Sequence, residues 1–289
     1  MPDTIMVPIL YALVASALFG GQGVLTMRSL STMDSQSSSM FAMGVCVLIF
    51  WLLAPFLLKP EYFRNPGMWV FLVNGLVHPL FSMTLSFEAI KRMGATVSST
   101  ISATAPLFAT AGAVLALDEH ITLALLMGTM GTVAGIMVLS WKRKGTHTWA
   151  LSALFFPIGA AIIRAGNHII GKFGLEMLPS PYFASLVSFT LSFIGAVAIY
   201  RYRTGRLPLK LNRQGMGWSG LAGVCIAAGV LCMYTALHSG LVIVVSPIIA
   251  SYPLFTLIIS LFSRQEQLSL RILCGVILVL GGLTWISIQ

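Results

Sequence analysis

Three polar side chains recur every four residues inside an otherwise apolar stretch of the chain. They are Asn74, His78 and Ser82. In an α-helix this spacing places all three on one face. An amide, an imidazole and a hydroxyl can together donate and accept hydrogen bonds with a polar solute. Because polar groups in apolar surroundings are costly unless they are paired, we expect this face to point towards an internal polar site.

A second apolar stretch carries a stronger version of the same pattern. Arg164, Asn167, His168 and Gly171 follow the i, i+3, i+4, i+7 spacing of a single helix face. Two interpretations of Arg164 remain open: its guanidinium contacts a carboxylate of a bound solute, or its side chain extends to the nearest polar boundary. Two polar faces on different helices predict one shared cavity.

Further candidates for this cavity are hydroxyl and amide side chains in other apolar stretches. They are Gln22, Ser99, Ser102, Tyr234, Ser246, Ser251 and Tyr252. A single serine in such a position more often bonds to its own helix backbone. A histidine there pairs with a neighbouring helix as readily as with a solute.

Acidic side chains are nearly absent from the same stretches. Glu88 alone lies within one, close to its end, and the other seven acidic residues fall near helix ends or in connections. A site for lipophilic cations would need a central carboxylate. We therefore expect a neutral or zwitterionic solute.

No catalytic or cofactor motif is visible in the chain. It lacks a Walker A run and a His/Asp/Glu cluster of metal-ligand spacing, and the glycines at 20–23 open no βαβ unit. The four cysteines lie in apolar stretches without a CxxC pair. We expect no enzyme activity, no cofactor and no metal.

The elements that carry these residues are dictated by composition. Residues of the apolar set make up 57% of the 289, charged residues only 9%, and the mean hydropathy is +0.92. Such a chain has too little polar surface for a soluble globule, and its N-terminus is not typical of a cleaved signal peptide. The net charge of +9 is then better interpreted as membrane topology than as nucleic-acid binding.

Ten apolar runs are long enough to cross a bilayer, which needs about 20 residues. Because spanning segments must satisfy their backbone groups internally, an all-α polytopic membrane protein is expected. The predicted spans 1 to 10 are 8–27, 36–58, 68–90, 95–117, 121–140, 148–171, 180–200, 216–238, 243–263 and 269–287.

The positive charges are distributed unevenly between the connections. Thirteen of the 17 lysines and arginines fall in odd-numbered connections, including Lys91 and Arg92 between spans 3 and 4, and three fall in even-numbered ones. The positive-inside rule then places the odd connections in the cytoplasm and both termini on the outer side, in a bacterial inner membrane.

The second half of the chain repeats the first at an offset of 147 residues. Five spans per repeat is an odd number, so the two units, 1–142 and 148–289, must have opposite orientations in the membrane. The matched pairs are Ser99 with Ser246, Pro106 with Pro253, Glu119 with Glu266, Gly128 with Gly275, and Gly135 with Gly282. We interpret the Glu-Thr/Ser-Gly units as structural. The hydroxyls of Thr122 and Ser269 cap helix starts, the glutamates favour the positive end of the helix dipole, and the glycines allow close helix packing.

The matched prolines are predicted to lie in the middle of spans 4 and 9. A proline there frees a backbone carbonyl and kinks the helix. Pro106 and Pro253 therefore act either as static kinks or as hinges that let one half rock against the other.

Taken together, these features resemble the EamA family of the drug/metabolite transporter superfamily. Its marks here are Glu119-x-x-Thr122 and Glu266-x-x-Ser269, each followed by two glycines at identical spacing, and the resemblance covers essentially the whole chain. Within the family, the chain is similar to bacterial exporters of aromatic amino acids.

The resemblance implies export of small metabolites through a central cavity between inverted halves. We expect alternating access and facilitated diffusion of neutral amino acids, with the bilayer and a small molecule as the only partners and no nucleic acid or obligate protein partner. A proton-coupled exporter of cations such as methyl viologen is one alternative, and a non-transporting membrane enzyme or scaffold is another.

Overall fold

The computed structural model describes residues 2–102, 104–140, 151–205, 212–262 and 270–287, and these are almost entirely helical. Two short 3₁₀ helices occupy Pro60–Arg64 and Leu151–Leu154. The α-helices are α1 (Pro2–Leu30), α2 (Ser35–Leu57), α3 (Gly67–Val77), α4 (Leu80–Ser102), α5 (Ala105–Ala116), α6 (Leu123–Ser140), α7 (Phe155–Met177), α8 (Pro181–Thr204), α9 (Arg213–Ser239), α10 (Val242–Ala250), α11 (Tyr252–Phe262) and α12 (Leu270–Ser287).

The all-helical membrane architecture is confirmed. Eight segments of the described chain are long and apolar enough to cross a bilayer, and two shorter apolar helices, Ala105–Ala116 and Leu123–Leu139, complete a set of ten. These ten segments correspond in order to the ten predicted spans.

Span 3 is interrupted, which the sequence pattern did not indicate. Helix α3 ends at Val77, the His78–Pro79 peptide bond is cis, and α4 begins at Leu80. Pro79 has no N–H to donate and disfavours the helical conformation of the residue before it. The prediction that Asn74, His78 and Ser82 share one continuous helix face is therefore wrong.

The predicted connection between spans 3 and 4 is also wrong, because α4 continues through Lys91 and Arg92 as far as Ser102. The Glu88 carboxylate lies 2.7 Å from Nε of Arg92 one turn later, and such i,i+4 pairs support a helix. The break comes instead just before α5.

Several helices begin at side chains that accept hydrogen bonds from the first free N–H groups. Asp34 accepts from the amides of Gln36 and Ser37 at the start of α2, Ser180 accepts from Phe183 at the start of α8, and Asn212 caps α9 in the same way. These caps satisfy donors that a helix leaves unpaired.

Helices α6 and α12 pack against each other through the predicted glycines. A Cβ on Gly128 would lie 3.0 Å from the Gly282 carbonyl oxygen, and one on Gly135 would lie 2.9 Å from that of Gly275. The earlier glycine of one helix thus meets the later glycine of the other, so the two helices run antiparallel. Because α6 and α12 are the last helices of their repeats, this packing is what inverted halves require.

The same symmetry relates two further helix contacts. The Cys46 thiol of α2 donates to the Gly223 carbonyl of α9, and the Ser192 hydroxyl of α8 donates to the Gly75 carbonyl of α3. In both contacts the absent glycine side chain lets the neighbouring backbone approach closely.

Connections meet at two opposite ends of the bundle. At one end the Ser29 hydroxyl donates to the carbonyl of Gly215, 3.1 Å away, which joins the α1–α2 connection to the start of α9. At the other end Asn65 donates to the carbonyl of Met177, and Lys172 donates to the carbonyl of Gly240. The odd-numbered connections described here lie at the first end and the even-numbered ones at the second.

Candidate functional site

Three buried side chains from three helices form a closed hydrogen-bonded triangle, which we call the amide–tyrosine triad. Asn74 of α3 donates through Nδ2 to Oδ1 of Asn167 on α7, at 2.8 Å, and to the Tyr234 hydroxyl on α9, at 2.9 Å. The Tyr234 hydroxyl donates to Oδ1 of Asn167, also at 2.9 Å. All three side chains are about 1% exposed.

The triad leaves two polar groups unpaired. Within the described part of the chain, Oδ1 of Asn74 and Nδ2 of Asn167 are buried without a hydrogen-bond partner. One is an acceptor and the other a donor. An unpaired buried polar group typically costs about 1–3 kcal/mol, so both groups call for a partner that the fold itself does not supply.

A positive charge lies one helical turn before Asn167. The guanidinium of Arg164 is partly buried, and its Nη2 donates to the Ser86 hydroxyl of α4 at 3.3 Å. Across the described residues, no carboxylate lies within ion-pairing distance of this guanidinium. Among the described side chains, Arg164 therefore has one partner, which is neutral, and this favours an anionic group of a ligand.

Two histidines complete the polar region. His168 is buried, and its Nδ1 lies 3.0 Å from the Ser246 hydroxyl of α10. His78 lies at the α3–α4 break. The predicted face of α7 thus meets α3, α4, α9 and α10, elements of both halves.

Some predicted residues pair elsewhere. Ser251 bonds with Ser16 of α1, 3.1 Å away, and with its own backbone at Ile248. The Gln22 amide donates to Thr26 one turn along α1. Ser82 reaches only the Pro79 carbonyl, at 3.5 Å. The Gln22 bond stays within α1, the Ser82 bond lies at the start of α4, and the Ser251 bonds join α1 to the break between α10 and α11. None of them reaches the triad.

Two of the three remaining predicted residues, Ser102 and Tyr252, make no described side-chain contact that links them to the triad. Ser102 is buried at the end of α4, and Tyr252 is half-buried at the start of α11. Ser99 lies on α4, and its side chain falls outside the described residues.

The sequence analysis did not identify two residues that form hydrogen bonds with the predicted ones, Ser86 with Arg164 and Ser16 with Ser251. Ser86, which holds Arg164, lies one turn after Ser82 and continues its four-residue spacing, so that spacing could have identified it. Ser16 carries no such signal, because it is a lone serine among apolar residues of α1.

Pro106 and Pro253 do not lie in mid-helix as predicted. Each is the second residue of its helix, α5 or α11, a position where the missing N–H costs nothing. The helical conformation is interrupted just before each of these two helices begins. At these breaks the Thr104 hydroxyl donates to Ile101 and the Ser251 hydroxyl to Ile248, both at 2.7 Å.

Glu119 links the two halves rather than capping its own helix. Its carboxylate accepts hydrogen bonds from the amides of Val242, at 2.8 Å, and Ile243, at 3.0 Å, at the start of α10. The predicted cap is the Thr122 hydroxyl, which accepts from the amide of Leu125 at 3.2 Å in the first turn of α6. The Glu119 carboxylate instead caps a helix of the other repeat. Its repeat partner Glu266 lies outside the described residues.

The described cavities lie away from the triad. One of about 410 Å³ is bordered by α5 and α6, including Leu107, Thr110 and Val114. Another, of about 470 Å³, lies beside Trp51 and Phe63. The triad itself is closed in this conformation, so a solute would have to separate its helices to enter.

Comparison with known proteins identifies the family. The sequence profile described as the EamA-like transporter family matches residues 6–141 and, a second time, residues 151–288. A search of curated proteins finds no match.

Among solved structures, 29 chains are similar. One is a crystal structure described only as that of a protein, with a TM-score of 0.73 and 16% sequence identity, covering 97% of this chain and 96% of that one. At this identity the likeness concerns the fold alone.

Proposed function

The chain belongs to the EamA-like transporter family, and on this premise we propose that it exports neutral amino acids, aromatic ones included, and related small metabolites. As a member of that family it is a multi-pass membrane transporter and not an enzyme. The proposed substrates are those of the bacterial exporter YddG, which the sequence resembles, and the proposed location is a bacterial inner membrane.

The observation that carries the proposal is the unpaired charge of Arg164. A guanidinium near the middle of a membrane helix is costly, by about 2.5–3.5 kcal/mol on insertion scales, and one hydroxyl partner does not offset a charge. A solute carboxylate would compensate it with a charge-assisted, bidentate pair. A purely cationic drug would instead be repelled.

Alternating access is supported by where the polar side chains come from. Asn74 and Ser86 belong to the first half, whereas Arg164, Asn167 and Tyr234 belong to the second. A solute that separates these side chains must therefore move one half relative to the other. We propose that the breaks before Pro106 and Pro253 absorb this movement, as hinges at element ends do.

Facilitated diffusion is supported by the chemistry of the same region. Glu88 is already paired with Arg92, and the other side chains of the site are amides, hydroxyls, imidazoles and one guanidinium. We propose that the solute gradient drives export without a coupled proton.

Transport by the purified protein in liposomes tests this. We expect counterflow of labelled phenylalanine, threonine and methionine without an imposed pH gradient, and none of methyl viologen. Uptake that requires a pH gradient would refute the proposal of facilitated diffusion without a coupled proton. Uptake of methyl viologen alone would refute the proposal that amino acids are the substrates.

Substitution of Arg164 tests whether its guanidinium binds the carboxylate of the substrate. Arg164→Gln should weaken the apparent affinity for phenylalanine about 10- to 100-fold, the value of a charge-assisted hydrogen bond, and Arg164→Lys should retain part of it. Thr132→Val is the matched control, because the Thr132 hydroxyl bonds only to its own helix, at Gly128. An unchanged affinity in Arg164→Gln would contradict the assignment.

A further inference from the structure

We propose that the amide–tyrosine triad recognises the α-ammonium group of the substrate, so that the site selects zwitterionic amino acids over acids that lack an amino group. This inference rests on the proposed function, because it specifies how the same site distinguishes its substrates. It assigns to the asparagine with the free amide oxygen, Asn74 as the structure has it, a role that Arg164 cannot perform.

The hydrogen-bonding capacity of the triad leads to this conclusion. Asn74 uses both N–H groups, and Oδ1 of Asn167 accepts from Asn74 and from Tyr234. The groups left over are one amide oxygen and one amide NH₂. Exchanging oxygen and nitrogen in both amides would move the free oxygen to Asn167 and the free NH₂ to Asn74, so each kind of group would still remain.

An α-amino acid carries the complementary pair of groups on one carbon. Its ammonium can donate to the free amide oxygen, and its carboxylate can accept from the free NH₂. Arg164 lies three residues before Asn167 on α7, where side chains are neighbours on the helix surface. The carboxylate would therefore bind between the guanidinium and the NH₂, with the ammonium at the amide oxygen.

The position of the triad is fixed by close packing. A Cβ on Gly171 would lie 2.7 Å from Cε1 of the Tyr234 ring, so the ring occupies the space that only a glycine leaves free. Asn74 and Gly75 lie on α3, where the backbone approaches Ser188 of α8.

The test is a competition assay with the full-length protein in liposomes. Counterflow of labelled phenylalanine is competed with phenylalanine itself, with 3-phenyllactate, in which a hydroxyl replaces the ammonium, and with 2-phenylethylamine, which lacks the carboxylate. We expect phenyllactate to compete about 10- to 100-fold more weakly than phenylalanine, because it loses a charge-assisted hydrogen bond.

Substitutions assign this preference to the triad. Asn74→Leu removes the free amide oxygen and should bring the inhibition constants of phenylalanine and phenyllactate to within about threefold of each other, while 2-phenylethylamine remains a weak competitor because Arg164 is intact. Asn167→Leu removes only the free NH₂ and should weaken phenylalanine and phenyllactate alike. With oxygen and nitrogen exchanged in both amides, the two variants trade these effects. Asn74→Asp keeps an acceptor and should keep the ratio of the two inhibition constants at tenfold or more. Thr132→Val should leave the ratio unchanged, and a purely structural role of the asparagines would weaken all competitors equally.

The failures of the two proposals are distinguishable. If the wild-type protein exchanges phenylalanine and phenyllactate competes as strongly as phenylalanine does, the triad inference alone is wrong. A ratio that is unchanged in both leucine variants overturns it as well. A wild-type protein that exchanges no amino acid overturns the proposed function and this inference with it.

Discussion

Asp34 shows how one side chain at the start of a helix couples stability to pH. Partial burial alone would raise its pKa, but hydrogen bonds from the amide and hydroxyl of Ser37 and from the amide of Gln36 outweigh this and lower the pKa below its ordinary value of 3.8. The folded state therefore prefers the ionised carboxylate.

The stability contributed by Asp34 should depend on pH in one direction. Because the folded-state pKa is lowered, the contribution is complete above about pH 4 and is lost as the pH falls through the folded-state value. Asp34→Asn keeps an oxygen that can cap α2, so thermal unfolding in detergent should depend less on pH between 6 and 3 in this variant than in the wild type.

A second substitution separates the cap from the charge. Asp34→Ala removes the cap and should be about 1 kcal/mol less stable than Asp34→Asn across the whole pH range. Identical pH dependence of the apparent melting temperature in the wild type and in Asp34→Asn would contradict the coupling.

Individual polar residues could be predicted from the sequence, but their partners could not. The spacing of Arg164, Asn167 and His168 identified a polar helix face. Their contacts with Ser86, Tyr234 and Ser246 depend on helices that are up to 80 residues away in the chain. Spacing along one helix fixes which residues share a face, whereas helix packing decides what the face meets.

At the scale of elements, two adjacent glycines of α12 differ in how closely α6 packs against them. A Cβ on Gly282 would lie 2.6 Å from the amide nitrogen of Thr132 on α6, whereas one on Gly281 would have nothing within 4 Å. Gly282→Ala must therefore push α6 and α12 apart, and we expect a loss of about 1–3 kcal/mol. Gly281→Ala should be neutral.

Thermal unfolding of the purified variants measures the difference between these glycines. Both substitutions add the same methyl group to the same helix, so helix propensity and hydrophobicity cancel in the comparison. Equal melting temperatures of the two variants would show that this helix contact is looser than the structure describes.

The carboxylate of Glu119 provides the second test at this scale. Glu119→Ala leaves the amides of Val242 and Ile243 without their acceptor, at about 1–3 kcal/mol for each buried group. The melting temperature and the transport rate should both fall, and Glu119→Gln, which keeps one oxygen, should show an intermediate loss.

The control for Glu119 is the adjacent acid. Asp118 is exposed and has a positive φ of 51°, a conformation that asparagine tolerates. Asp118→Asn removes the neighbouring charge without removing the cap, so it should leave stability and transport unchanged. A melting temperature of Glu119→Ala equal to that of Asp118→Asn would rule out the inter-repeat cap.

The positions of helix breaks were the least predictable feature of the elements. Lys91 and Arg92 suggested a connection because charged residues usually end a membrane span, yet the Glu88–Arg92 pair allows α4 to continue. Pro79, by contrast, has no charged residue nearby in its apolar run, and α3 still ends just before it. Hydropathy reports where a segment lies, whereas hydrogen bonding and proline geometry decide whether it stays helical.

At the scale of the whole molecule, the repeat was the most informative feature of the sequence. An offset of 147 residues between matched prolines and glycines predicted inverted halves, and the antiparallel glycine contacts of α6 and α12 have the geometry that inversion requires. The breaks before α5 and α11 also match, through the hydroxyls of Thr104 and Ser251. The repeats differ where the triad lies, because Asn74, Asn167 and Tyr234 have no polar counterparts at the same offset.

The two ends of the bundle allow its orientation in the membrane to be tested. The positive charges predict that the end with the odd-numbered connections faces the cytoplasm.

In a variant whose four cysteines are replaced by alanine, single exposed cysteines can be introduced as Ser31→Cys or Gln214→Cys at that end, and as Glu61→Cys or His120→Cys at the other. A membrane-impermeant maleimide added to intact cells should label positions 61 and 120, and positions 31 and 214 only after lysis. The reverse pattern would overturn the charge-based orientation and place the termini inside. Labelling of 31 without 214, or of 61 without 120, would contradict the two-ended architecture itself. The Ser29–Gly215 contact holds the first pair at one end, and the Asn65–Met177, Lys172–Gly240 and Glu119–Val242 contacts join the connections of the other end.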